Sequence, residues 1–149
     1  MLGTIQDTVD ELRDEGVSIG AVGITSFRPF PLDALRAALG HAQRVVVLEK
    51  ALAVGIGGIV TANVRMALAG IALHGYTVIA GLGGRPITKA SLRSLFDEAV
   101  HDRLEPLTFL DMDWDVVNRE LARMGASRTS GPHAENILLD VGAVAAGPV

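Results

Sequence analysis

Hydrophobic and polar positions along this chain switch repeatedly between two periods. Leu2, Ile5, Val9 and Leu12 recur at helical spacing until Gly16, which predicts a helix over 4–15 with Gly16 just past its end. The apolar run VSIGAVGIT predicts a strand over 17–25, and Pro29 and Pro31 in the following SFRPFP end its pairing because proline carries no N–H. Pro31 suits the first position of a helix over 31–42. The β-branched run RVVVLE predicts a buried strand at 44–49. Beyond it come a helix over 58–75 ended by Gly75, a strand at 76–82, a helix over 88–102 capped by Thr88, a strand at 107–112 and a helix near 115–124.

Strands that alternate with helices in this way predict a three-layer α/β/α fold with a mostly parallel sheet, because each helix must carry the chain back to the edge where the next parallel strand starts. The organisation expected is one α/β domain over 1–125. An extension over 126–149 follows, with the breaker stretch GASRTSGP, a short helix in HAENILLDVG and a mobile small-residue tail.

Composition narrows the function. At 149 residues the chain has room for one domain with a real core. Its apolar stretches are interrupted by Arg, Asn, Glu or Lys well before the roughly 18–20 residues of a membrane span, and no charged segment followed by an apolar one opens the sequence, so the expected compartment is the cytoplasm, with no membrane partner. The net charge is −4, with 13 basic and 17 acidic residues interspersed, which argues against nucleic acid as a partner. The sequence has no cysteine, which removes disulfides, thiolate zinc sites, cysteine nucleophiles and cysteine-ligated iron–sulfur clusters from this chain.

The candidate chemistry lies at the carboxyl ends of the predicted strands, where open α/β sheets gather ligands and partners. Arg28, Glu49, Lys50, Arg85, Asp111 and Asp113 fall there. Two arginines could fork onto a carboxylate or phosphate. The plainer reading is a polar strand edge with an Arg28–Glu49 tie, and with the Phe27 and Phe30 rings packing the junction. Two glycine clusters, GIGGI at 55–59 and GLGGR at 81–85, raise a nucleotide reading. Val60 stands where G-x-G-x-x-G needs its last glycine, and no G-x-x-x-x-G-K-[ST] occurs. Exposed amides at the start of the Gly58 helix could still hold an anion, although tight turns explain the glycines more simply. His41, His74 and His101 fall near predicted helix ends, where the helix dipole favours them; with His133 they form no metal-ligand spacing. No G-x-S-x-G elbow is present.

In order, GTIQDTVDELRDEGVSIGAVGITSFRPFP, VVVLEK, GGIVTANVRMAL, GLGGRPIT and the helix up to LFDEAV resemble the C-terminal domain of the α subunit of 2-oxoacid:ferredoxin oxidoreductases, over roughly residues 3–112. A weaker echo lies in SGPHAENILLDVG. The resemblance implies a fold like the transketolase C-terminal domain, in which R-x-x-P falls on Arg28 to Pro31, V-V-V-x-E on Val45 to Glu49 and the helix-opening glycine pair on Gly57-Gly58. It implies a scaffold and interface domain with no catalytic, cofactor-binding or metal residues of its own. The parent complex would use thiamine diphosphate, magnesium, iron–sulfur clusters and coenzyme A to decarboxylate a 2-oxoacid such as pyruvate oxidatively and reduce ferredoxin. Arg28, Glu49, Lys50, Gly57, Gly58, Gly83, Gly84 and Arg85 are then the expected interface or anion contacts.

The family's domain opens with a strand ahead of the first helix, whereas this sequence opens with Met1-Leu2-Gly3-Thr4. Either a partner chain supplies that strand, or the chain is a domain cut from a longer subunit, or the sheet makes do with fewer strands; an unpaired neighbour predicts self-association or a partner among the complex's other subunits. The alternative is an independent α/β module that binds an anion, a nucleotide or coenzyme A at the glycine-rich turns.

Overall fold

The computed structural model describes residues 1–126 and divides into two compact units, Met1–Asp111 and a second that begins at Met112. In the first unit the sheet has three parallel strands. β1 (Arg44–Glu49) pairs with β4 (His74–Ile79) in the register Arg44 to His74 and Glu49 to Ile79, and β4 pairs in turn with β5 (Leu107–Phe109). A separate two-residue antiparallel ladder joins β2 (Leu52–Ala53) to β3 (Gly57–Gly58). The helices are α1 (Leu2–Asp14), α2 (Leu32–Leu39), α3 (Ile59–Ala67) and α4 (Lys89–Val100).

Strand alternation sorts these helices into layers. Val46 and Leu48 of β1 pack with Val78 of β4 against Val9 of α1 and Leu92, Leu95 and Phe96 of α4. Val45 and Val47 point the other way, against Leu35 of α2 and Val64, Ala67 and Leu68 of α3. The sheet thus carries α1 and α4 on one face and α2 and α3 on the other, the three-layer α/β/α arrangement expected from the sequence. The steps β1 to β4 and β4 to β5 run the same way along the sheet, yet their crossover helices α3 and α4 lie on opposite faces. The two crossovers therefore have opposite hands, and one departs from the usual right-handed rule.

Local chemistry sets the element ends. Gly16 takes φ +88°, its N–H bonds to the Arg13 carbonyl and the Val17 N–H to that of Leu12, so α1 closes in a Schellman turn. Thr88 caps α4, its Oγ1 accepting from the Ser91 N–H at 3.1 Å. Pro31 stands at the N-cap of α2, one position before the N1 site expected for it. In the second unit, α5 (Trp114–Ala126) is capped by Asp113, whose Oδ1 accepts from the Val116 N–H at 3.0 Å.

Two expected elements come out differently. The helix predicted over 58–75 stops at Ala67, because the Arg36 guanidinium of α2 bonds the Ala67 and Ala69 carbonyls at 3.0 and 2.9 Å and Gly70 turns away at φ +81°. Gly75 lies inside β4 rather than at a helix end. The segment 17–25 is not a strand. Its apolar sequence suits one, but it pairs with no strand among the described residues. The predicted elements within 126–149 fall outside the described residues, apart from Ala126 at the end of α5.

Candidate functional site

Glu49, the last residue of β1, is 3% exposed and fully engaged inside the protein. Its Oε2 accepts from the Val60 N–H at 2.8 Å, and its Oε1 accepts from the Thr61 N–H at 3.0 Å and the Thr61 hydroxyl at 2.9 Å. The first amides of a helix have no intrahelical acceptor, and α3 begins at a glycine with no side chain to supply one. The neighbouring strand provides the acceptor instead, and its negative charge sits where the helix dipole favours it. The amides that an external anion would use at the Gly58 turn are those already held by Glu49.

This arrangement explains the glycine pair. A Cβ on Gly58 would lie 2.1 Å from Glu49 Oε1 and 2.8 Å from both Glu49 Cδ and Thr61 Oγ1, so only glycine lets the strand-end carboxylate reach the helix. Gly57 is required for a different reason, its φ of +92° at the end of the short ladder.

Arg28 does not tie to Glu49. Its Nη1 donates to the Phe27 carbonyl at 2.7 Å and to Asn63 Oδ1 of α3 at 3.3 Å, and its guanidinium lies 4.2 Å from the Phe27 ring centroid. Phe27 and Phe30 meet edge to face at 5.9 Å. Both charged residues therefore reach α3, Glu49 at its first turn and Arg28 on its flank. Pairing them from the sequence failed because Arg28 is carried on an unpaired loop rather than a strand adjacent to β1.

The other expected site residues of the first unit lie along the same end of the sheet, and Asp113 belongs to the second unit. The Lys50 stem runs over the Gly81 turn, where a Cβ on Gly81 would come within 3.2 Å of Lys50 Cε. Gly81, Gly83 and Gly84 all have positive φ in the 3-10 turn Leu82–Gly84. Arg85 leaves this turn to donate to the Asp111 carbonyl, with Asp111 at φ +55°. Asp113 is spent as the cap of α5. The tip of the β2–β3 hairpin is apolar and open, with Val54 96% and Ile56 73% exposed.

A second polar cluster, at the opposite ends of the strands, has no motif in the sequence. Asp102, at φ +54° just beyond α4, accepts from Arg44 Nε at 2.8 Å and Nη2 at 2.5 Å, and from the Tyr76 hydroxyl at 2.8 Å, while His74 Nδ1 lies 2.8 Å away. The bidentate Arg44 fork, followed by the Tyr76 hydroxyl, holds the Asp102 carboxyl far below the ordinary aspartate range. The group ties the amino ends of β1 and β4 to the end of α4. His74 thus belongs to a strand start rather than the helix end expected for it. His101 does sit at the α4 C-terminus, with Nδ1 2.8 Å from the Asp97 carbonyl, and His41 lies just past α2. His133 lies outside the described residues. Among the described residues no group of three histidine or acidic side chains is placed to hold a metal ion, and no helix is long and apolar enough to cross a membrane.

Fold and strand-end geometry together define a three-layer α/β domain whose charged strand-end residues hold its own helices and turns. More particularly, the chain belongs to the pyruvate:ferredoxin oxidoreductase core domain II family, whose model matches residues 1–92. It is 34% identical over 92 residues to the pyruvate synthase subunit PorA of Methanothermobacter thermautotrophicus, covering 62% of this chain and 24% of that one. It is 37% identical over 103 residues to PorA of Thermotoga maritima, covering 68% and 26%. The ketoisovalerate oxidoreductase subunit VorA of Pyrococcus furiosus is 31% identical over 100 residues, covering 66% and 25%. The chain spans about a quarter of the length of these relatives.

Proposed function

We propose that this chain is a non-catalytic structural and interface domain of a 2-oxoacid:ferredoxin oxidoreductase. The observation that carries this reading is the family match over residues 1–92 together with the internal use of Glu49, the one buried acid at the strand ends in that stretch. A catalytic carboxylate must be free to reach a substrate or cofactor, and this one accepts three hydrogen bonds from the start of α3.

Oxidative decarboxylation of a 2-oxoacid to the acyl-CoA with reduction of ferredoxin is then the work of the assembled cytoplasmic complex. Thiamine diphosphate and its magnesium need clustered oxygen ligands, and iron–sulfur clusters need thiolates. The described residues do not fit such a centre, so we assign these groups and coenzyme A to other chains. Within this chain we assign Arg28, Lys50, Gly83, Gly84 and Arg85, with the exposed Val54 and Ile56, to the surface that meets those partners. The relatives named PorA and VorA support a 2-oxoacid as substrate class, with pyruvate and a branched ketoacid as its two candidates.

The test is affinity purification of the tagged chain from its native cell. A partner that brings thiamine diphosphate and iron–sulfur absorbance supports the reading. A chain that emerges with no such partner, or that turns over a 2-oxoacid unaided, overturns it.

A further inference from the structure

The central strand of the sheet is open on its α3 side near its start. β4 lies between β1 and β5, yet Gly75 within it is exposed. Gly75 pairs with Val45, whose side chain faces α2 and α3, so a side chain at position 75 would face them as well. Among the described residues, a Cβ placed there would meet only Leu73 Cδ1 beyond its chain neighbours, at 3.7 Å. Glycine inside a strand weakens it and often marks a place where a ligand or another backbone comes close. Here it forms the floor of a crevice of about 330 Å³, walled by Val45 and Val47 of β1, Val64 and Leu68 at the end of α3, and Ile71 and Leu73 of the link to β4.

Three residues with polar side chains also line the crevice, Thr61, Arg65 and Tyr76. The Thr61 hydroxyl donates to Glu49 Oε1 at 2.9 Å and the Tyr76 hydroxyl to Asp102 Oδ1 at 2.8 Å, so both are engaged. The Ala67 and Ala69 carbonyls at the end of α3 are taken by Arg36. Arg65, exposed on α3, makes no hydrogen bond or ion pair with any described residue. The crevice thus combines an apolar bed with one unengaged cation at its mouth.

We propose that this crevice binds a small amphipathic carboxylate, with its hydrocarbon chain on the valine and leucine side chains above Gly75 and its carboxylate held by the Arg65 fork. Size sets the first half of this assignment. Pockets for small ligands run from about 300 to 1,000 Å³, so one short chain fills this crevice. Charge and shape set the second half, because the planar guanidinium presents paired N–H donors that match a carboxylate. A protein surface is the poorer occupant. Val45, Val64 and Leu68 are only 8%, 4% and 6% exposed, which leaves a narrow slot rather than the broad face that a stable protein interface needs. The assignment is independent of the scaffold reading above.

Octanoate titrated into the full chain and followed by amide NMR tests the site. It should bind saturably and shift the Val64, Leu73 and Gly75 amides together with the Arg65 Nε–H signal. Acetate, which lacks the chain, should not bind, and octanol, which lacks the carboxylate, should bind about tenfold or more weakly. Arg65→Met keeps an apolar stem without the charge, so it should weaken octanoate by about tenfold or more and leave octanol unchanged. Gly75→Val fills the floor and should abolish binding of both probes while holding or raising the urea midpoint, since a β-branched residue suits a strand. Should the valine variant fail to fold, Arg65→Met, at an exposed position, carries the test alone. Absence of saturable binding, equal affinity for octanoate and octanol, shifts centred on Val54 and Ile56, or unchanged binding by Arg65→Met overturns the proposal. Octanoate bound by the free chain but excluded from an assembled complex overturns it in favour of a protein side chain as the occupant.

Discussion

Replacing Gly58 with alanine places a methyl group where the structure allows none. The new Cβ would sit 2.1 Å from Glu49 Oε1, so the carboxylate must withdraw from α3 or the turn must open. Withdrawal forfeits at least the two bonds at Oε1, from the Thr61 N–H and hydroxyl. Bonds to a charged group contribute about 1.5–3 kcal/mol each, so Gly58→Ala should cost about 3 kcal/mol or more. For a chain of this size that corresponds to a fall of about 10 °C in Tm. Urea denaturation of wild type, Gly58→Ala, Glu49→Ala and the double variant gives the coupling. With the carboxylate gone, only the contact with Thr61 Oγ1 at 2.8 Å and alanine's disadvantage against glycine as an N-cap remain, so the cost should fall clearly below that in the wild-type background. A Gly58→Ala cost below about 1 kcal/mol in the wild-type background, or an equal cost in both backgrounds, would refute the assignment of this glycine to the Glu49 bridge.

Further outcomes follow from other sites. Leu92 is fully buried between α4 and the sheet, so Leu92→Ala should lower stability by about 2–5 kcal/mol in the same urea assay. The folded Asp102 carboxyl lies below its unfolded value, so its contribution is present above about pH 4 and is lost as pH falls toward the folded pKa. Asp102→Asn should therefore destabilise the chain at neutral pH and flatten the acid limb of stability against pH, while Tyr76→Phe should raise the Asp102 pKa as followed by NMR titration. Arg28→Ala should weaken assembly or stability more than the turnover of complexes that do assemble; intact assembly with lost turnover would make the arginine a site residue.

The layers of this fold were legible because β1 alternates under two helical faces. The RVVVLE run, the Gly16 stop and the Thr88 cap each express a local rule that tertiary packing does not override. Residues 17–25 show the limit of such rules: their apolar run suits a strand, whereas a strand also needs a backbone partner, and no property of the segment itself encodes one. The shortened α3 has a similar cause, since its end is set by Arg36 from a different helix. At the strand ends, the sequence put Glu49 at the end of a strand and Gly58 at the start of a helix but could not show that one fills the space the other leaves. The Asp102 cluster joins residues 26 to 58 positions apart without a motif, so only the fold reveals it.

The two ends of α3 are held by opposite charges, the Glu49 carboxylate at its first turn and the Arg36 guanidinium at its last. Both anchors precede the helix in sequence, one on β1 and one on α2. A helix of nine residues is marginal in water by itself. Its formation is therefore tied to the arrival of β1 and α2, and the three should open and close as one cooperative unit. A disturbance at either anchor would then be felt across the whole α2–β1–α3 half of the domain, including the outer edge of β1.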